Sequence, residues 1–235
     1  MDVRTLFDRL FPQGHDIAFE GAFFSGMGRG PGDAPLAVLG TIDKAPISAA
    51  LAHRMATEVL RVVREHPGRP FLLLVDTSGQ ALSRRDELLG INGYMAHLAK
   101  CLEVARRRGH RILGLVYAEA VSGGFLASSL LSDACYALPE AEIRVMNLPA
   151  MSRVTKIPLA RLEALSAQSP VFAPGVENYR RMGAIMEVWD GDLAHHLAQA
   201  LAAPIQGDPR AALGEARGGR QLAHLVANRV RRDAV

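Results

Sequence analysis

Residues 111–133, RILGLVYAEAVSGGFLASSLLSD, decide the reading of this chain. The apolar run 112–117 predicts a strand, Ser122-Gly123-Gly124 a tight turn, and the small residues 125–131 a helix. A strand that passes through a glycine pair into a helix leaves backbone N–H groups without helical partners, at the end of the helix dipole that attracts negative charge. Glycine lets another molecule approach those amides, because no Cβ stands in the way. Such a turn suits stabilisation of an oxyanion, for instance on a thioester. Glycine-rich junctions also arise from packing alone, and at this point both readings stand.

The same segment approaches the length of a membrane span, but Glu119, Ser122 and the glycine pair fall at its middle, where hydrocarbon penalises them. The first residues, MDVRTLFDRLF, mix acidic and basic groups among apolar ones, unlike a secretory signal. The expectation is a soluble cytoplasmic chain with no membrane partner. Cys101 and Cys135 lack metal-ligand spacing and read as two reduced core thiols, and no metal site is expected. A length of 235 residues with 49% hydrophobic and 22% charged content fits one generous globular domain, residues 1–235. The net charge is only +3, aromatics make up 6%, and no basic stripe is interleaved with them, so nucleic acid is not an expected partner.

Working outward, strand and helix alternate. LAVLGTI at 36–42 reads as a strand, preceded by a glycine-rich loop over 25–35. A helix follows from its N-cap Ser48, with Leu51, Met55, Val59 and Val63 on one face, and His66-Pro67-Gly68 stops it. The run FLLLV at 71–75 is of the kind buried on both faces of a parallel sheet, and it ends in Asp76-Thr77-Ser78-Gly79. One long helix is predicted over 86–108, burying Leu88, Ile91, Met95, Leu98 and Leu102, with His97 as a satisfied core histidine. Strands are predicted at 134–138, 142–146 and 184–189, and helices at 159–165, 192–201 and 220–232. The stretch 168–175 reads as irregular, and 206–219 as a loop with a weak helix. Successive β-β-α turns stacked as a spiral suit this order better than a nucleotide-binding sheet, since neither G-x-G-x-x-G nor a P-loop occurs.

The pair formed by Asp76-Thr-Ser-Gly79 after a buried strand and Ser122-Gly-Gly124 opening a helix resembles the crotonase-like carboxyltransferase subunits of biotin-dependent acyl-CoA carboxylases, over roughly residues 20–200. With QALSRRDELLG at 80–90 and YAEAVSGGF at 117–125, nearly the whole chain resembles the gamma subunits of bacterial malonate decarboxylases. The resemblance implies an α/β fold: a crotonase-like ββα spiral, carboxyltransferase-type, in a single domain with a helical C-terminal extension over about 206–235. It implies a homologous beta subunit as partner, with decarboxylation of malonyl-S-acyl carrier protein to acetyl-S-acyl carrier protein and CO2. The arm derived from dephospho-coenzyme A would come with the acyl carrier protein subunit, with no cofactor bound by this chain itself. An acyl-carrier transferase subunit is a further expected partner.

Carried onto matching positions, the amides of Gly123 and Gly124 are the expected oxyanion donors, with Ser122 beside them. Ser78, Gly79 and Glu119 are expected to line the same cavity. Loss of CO2 leaves an enolate that amide donors can hold, so no triad or metal is required. The turn receives either the enolate oxygen or the departing carboxylate. Glu119 is a proton handler or a structural acceptor. Ser122 as a hydrolase nucleophile lacks the G-x-S-x-G elbow, and His195-His196 point away from each other on a helix. Two other classes stand beside the decarboxylase: a biotin-dependent carboxyltransferase subunit, and a non-catalytic scaffold.

Overall fold

The computed structural model describes residues 1–168, 174–204, 207–219 and 221–233. The chain opens with helix α1 (Val3–Leu10), capped by the Asp2 carboxylate, which accepts the Arg4 and Thr5 N–H groups. Strands β1 (His15–Glu20) and β2 (Phe23–Arg29) form an antiparallel hairpin, and β2 pairs antiparallel with β3 (Pro35–Thr41). Helix α2 (Ala49–Glu65) leads to β4 (Phe71–Thr77), and the helices α3 (Arg84–Leu88) and α4 (Ile91–Arg107) to β5 (Ile112–Val121). A short helix α5 (Ser122–Leu126) precedes β6 (Ala134–Ala137) and β7 (Glu142–Arg144). The sheet runs β1-β2-β3-β4-β5-β6, parallel from β3 onward, and β7 pairs with the far end of β5 through Glu119↔Glu142 and Val121↔Arg144.

Both faces of this sheet are covered, which is why FLLLV is apolar throughout. Leu72, Leu74, Leu113 and Leu115 face Phe7, Leu10, Phe11, Phe24 and Trp189 on one side. Phe71, Leu73 and Ile112 face Met55, Val59, Met95, Leu98 and Leu102 of α2 and α4 on the other. The expected N-cap holds: the Ser48 hydroxyl accepts the Leu51 N–H at 3.1 Å. Cys101 and Cys135 are both free and buried. None of the helices among the described residues is long and apolar enough to cross a membrane.

Several expectations need correction. The glycine-rich stretch expected as a loop over 25–35 is strand β2 as far as Arg29, because its glycines accommodate neighbours: a Cβ at Gly28 would lie 2.5 Å from the Phe11 ring; a 3-10 turn, Pro31–Asp33, follows. The long helix over 86–108 is two helices, broken at Gly90, which takes a left-handed φ of 71°. Leu88 therefore leaves the core and is 78% exposed, and His97 is exposed too, its ring against the Cys101 sulfur at 3.7 Å. The helix expected over 125–131 starts earlier, at Ser122, and ends at Leu126; a 3-10 turn, Ser129–Leu131, follows. The late strand expected at 184–189 reduces to one bridge, Ala137↔Val188, beside the edge strand β6.

Beyond β7 the chain is helical: α6 (Leu148–Thr155), α7 (Leu159–Gln168), α8 (Val176–Arg181), α9 (Leu193–Ala202), α10 (Arg210–Ala216) and α11 (Gln221–Asp233). Of the irregular stretch expected at 168–175, residues 169–173 lie outside the described residues, as do 205–206 and 220 at the margins of the C-terminal expectations.

Candidate active site

The parallel strands β3, β4 and β5 release their chains at one end of the sheet, and the sequence-predicted site residues gather there. Asp76, near the end of β4, organises that end. One of its carboxylate oxygens accepts the Lys44 N–H at 2.9 Å and the other the Glu119 N–H at 3.2 Å. Its carbonyl accepts the Thr41 hydroxyl, and Tyr117 OH donates to the Thr41 carbonyl at 2.7 Å. Burial raises the phenol pKa of Tyr117, which keeps it a neutral donor. These bonds gather where the β4–β5 register shifts between Val75 and Thr77.

The loop Ser78-Gly79-Gln80 is locked onto the chain leaving β3. Ser78 N–H donates to the Lys44 carbonyl, and Ile47 N–H donates to the Gly79 carbonyl at 2.8 Å. Gly79 N–H donates to Thr77 Oγ1. Ser78 is exposed at the rim while Gly79 is buried. The amides of both expected lining residues are thus committed to the protein.

Across from this loop, α5 begins at Ser122 without a side-chain cap of its own. Gln80 supplies one from outside: its Oε1 accepts the Gly123 N–H at 3.1 Å. Gly124 is buried against Gly79, and a Cβ on Gly124 would lie 2.9 Å from the Gly79 Cα and carbonyl carbon. The absence of a side chain at Gly124 therefore serves backbone approach between the two turns. Ser122 takes a left-handed φ of 46°, costly for a residue with a Cβ, and its hydroxyl donates to the Val145 carbonyl at 2.5 Å.

Glu119 has a side chain only 10% exposed, and both of its carboxylate oxygens meet cations: Lys44 Nζ at 2.5 Å and Arg144 Nη2 at 2.9 Å. The hydrogen bond and charge of Glu119 raise the pKa of the Lys44 ammonium. Arg144 also pairs with Glu142 at 2.5 Å. Lys44, Arg144 and Gln80 escape sequence reading because each acquires its partner only through the fold; Asp76 had a signal, as the first residue after the buried run. Elsewhere, the rings of His195 and His196 stand 6.5 Å apart, and His196 stacks on Trp189. Among the described residues no group of three or more His, Cys, Asp or Glu side chains is arranged to hold a metal.

This sheet, with its two glycine turns at the strand exits, has the crotonase-like fold of carboxyltransferase-type proteins. The transcarboxylase 12S core has it: TM-score 0.70 at 20% identity, covering 88% of this chain and 44% of that one. The family is more specific. The malonate decarboxylase gamma subunit model matches residues 43–234, and the chain belongs to that family. It is 33% identical over 192 residues to the malonyl-S-ACP:biotin-protein carboxyltransferase MADD of Malonomonas rubra, covering 72% of this chain and 66% of that relative, just under two thirds of its length. A Pseudomonas malonate decarboxylase hetero-tetramer in complex with coenzyme A contains a chain matched at TM-score 0.76 and 25% identity, with 98% of each chain covered. The Pseudomonas MdcD-MdcE hetero-dimer gives TM-score 0.74 and 26% identity, with 95% of this chain and 97% of that one covered.

Proposed function

We propose that this chain acts with a homologous beta subunit in the cytoplasm to decarboxylate malonyl-S-acyl carrier protein. The bond between the carboxylate carbon and the thioester's C2 breaks and CO2 departs. The electron pair passes into an enolate, which takes up a proton at C2 to give the acetyl thioester. The amides of the Ser122-Gly123-Gly124 turn bind an anionic oxygen of this substrate, Ser78 and Gly79 shape the wall opposite, and Glu119 holds the surrounding charges in place. One such donor is worth about 2.7–4 kcal/mol of transition-state stabilisation.

The observation that carries this reading is the contact between Gln80 Oε1 and the Gly123 N–H. That amide is aimed at a side-chain oxygen rather than at a helix carbonyl, and a substrate oxygen takes it by displacing the flexible Gln80 carboxamide. The dephospho-coenzyme A-derived arm arrives on the acyl carrier subunit, loaded by an acyl-carrier transferase subunit, and reaches a site closed by the beta subunit. The surface beside the turn supports a covering partner: Leu82 is 86% exposed, Val145 52% and Leu126 41%. These side chains would give a covering partner apolar contacts at the site.

The test is CO2 release from malonyl carrier by the purified pair of subunits without biotin. Turnover that appears only with a biotinylated partner would replace this reading with a carboxyltransferase one.

A further inference from the structure

In the candidate site Ser122 holds a costly backbone conformation, with φ 46°. A non-glycine residue stays there only when its surroundings over-determine it. What fixes it is its hydroxyl bond to the Val145 carbonyl at 2.5 Å. Val145 is the first residue after β7, a strand of only three residues whose partner is the end of β5. So short a strand holds its place through side chains as much as through its ladder. Arg144, opposite Val121 in that ladder, reaches back to Glu119 on β5.

Glu119 in turn is held from the other side by Lys44, whose own main chain is bonded to Asp76 and Ser78. Asp43 and Lys44 both take left-handed φ values, 58° and 51°, so this approach is itself backed by an unusual turn. The exits of β3, β5 and β7 therefore meet on one nearly buried carboxylate. With one cation on each oxygen, Glu119 is committed to the protein on both sides.

We propose that Glu119 is a positioning residue for the Ser122-Gly123-Gly124 turn, acting through Arg144 and the Val145 carbonyl on the Ser122 hydroxyl. It sets the direction of the turn's amides without touching substrate. This role rests on the decarboxylase reading of the turn.

A double-mutant cycle tests it in the assembled complex, with malonyl carrier as substrate. Glu119→Ala and Ser122→Ala should each lower kcat about ten- to a hundredfold, the scale of a misplaced catalytic group, with KM little changed. The double variant should lose no more than the worse single variant, since both break one chain of contacts. Losses that multiply, or a wild-type kcat in Glu119→Ala, overturn the proposal. If Glu119→Ala does not fold, Glu119→Gln keeps the volume and one acceptor, and the same non-additivity is required of it. Amide hydrogen exchange over residues 122–126 separates this idea from the activity itself. It should quicken in Glu119→Gln and in Ser122→Ala, and no further in the double. Unchanged exchange overturns the positioning role even in a fully active complex. A wild-type complex that releases no CO2 defeats the decarboxylase reading, and the exchange result then decides the positioning role by itself.

Discussion

Gly123 and Gly124 are adjacent, yet the structure assigns them opposite tolerances, and alanine at each position measures the difference. At Gly124 a Cβ would meet three backbone atoms of Gly79: Cα at 2.9 Å, the carbonyl carbon at 2.9 Å and the carbonyl oxygen at 3.0 Å. Ordinary contact begins near 3.4 Å, so the two turns must separate by 3.4 − 2.9 = 0.5 Å. Neither yields freely, because the Gly79 carbonyl accepts the Ile47 N–H and its N–H is bonded to Thr77 Oγ1, while the Gly124 carbonyl accepts the Ser128 hydroxyl. Overpacking of this kind costs about 1–3 kcal/mol. At about 2–4 °C per kcal/mol for a chain of this size, Gly124→Ala should lower Tm by about 2–12 °C. At Gly123 a Cβ would come only within 3.0 Å of Gln80 Oε1, the far end of a flexible side chain. That end can swing aside without moving any backbone, so Gly123→Ala should melt within about 2 °C of wild type. Thermal melting of the two purified variants by circular dichroism is sufficient. Equal melting temperatures, or a lower one for Gly123→Ala, would refute the packing argument. The same geometry makes Gly124→Pro a poor probe of the Gly124 amide, since the ring would meet the Gly79 backbone first.

Burial pushes the Cys135 thiol up to about 12 from 9.0, so the folded chain keeps a proton that the unfolded chain sheds between those pH values. Stability should therefore fall as pH rises from about 9, and Cys135→Ala should flatten that part of a denaturation-against-pH curve; a curve identical to wild type would contradict this. Neither Cys135 nor Cys101, whose pKa burial also raises, should react with iodoacetamide at pH 8 until the chain unfolds, as intact-mass analysis would show. Leu82→Asp should leave the melting of the isolated chain unchanged but weaken capture of the beta subunit at least tenfold in a titration, since Leu82 is 86% exposed beside the turn. Because amide donors supply the proposed stabilisation, dialysis of the complex against EDTA should leave CO2 release unaltered; loss restored by a divalent ion would overturn that mechanism.

The strands β4 and β5 were legible in the sequence, because a continuous apolar run such as FLLLV suits a strand buried on both faces, and so was a helix opening near Ser-Gly-Gly after β5, although these three residues form the first turn of α5 rather than a separate turn before it. The N-cap Ser48 and the buried stripe of α2 were legible for the same local reason. Family membership was legible through the order and spacing of DTSG and SGG, which long-range packing preserves. The hairpin β1–β2 was not, because Gly26 and Gly28 imitate a loop until Phe11 and the Asp16 backbone are seen filling the space of their missing side chains. The break at Gly90 was hidden because one glycine inside a helical pattern need not end it, and only a left-handed φ does. Within the site, sequence supplied the residues and tertiary structure supplied their commitments. Gln80 meets Gly123 across 43 positions, Lys44 and Arg144 converge on Glu119 from two other strand exits, and Gly124 proves to be a packing contact with Gly79. Such partners are joined only when a sheet brings distant strand ends together, and no local pattern of residues encodes that distance.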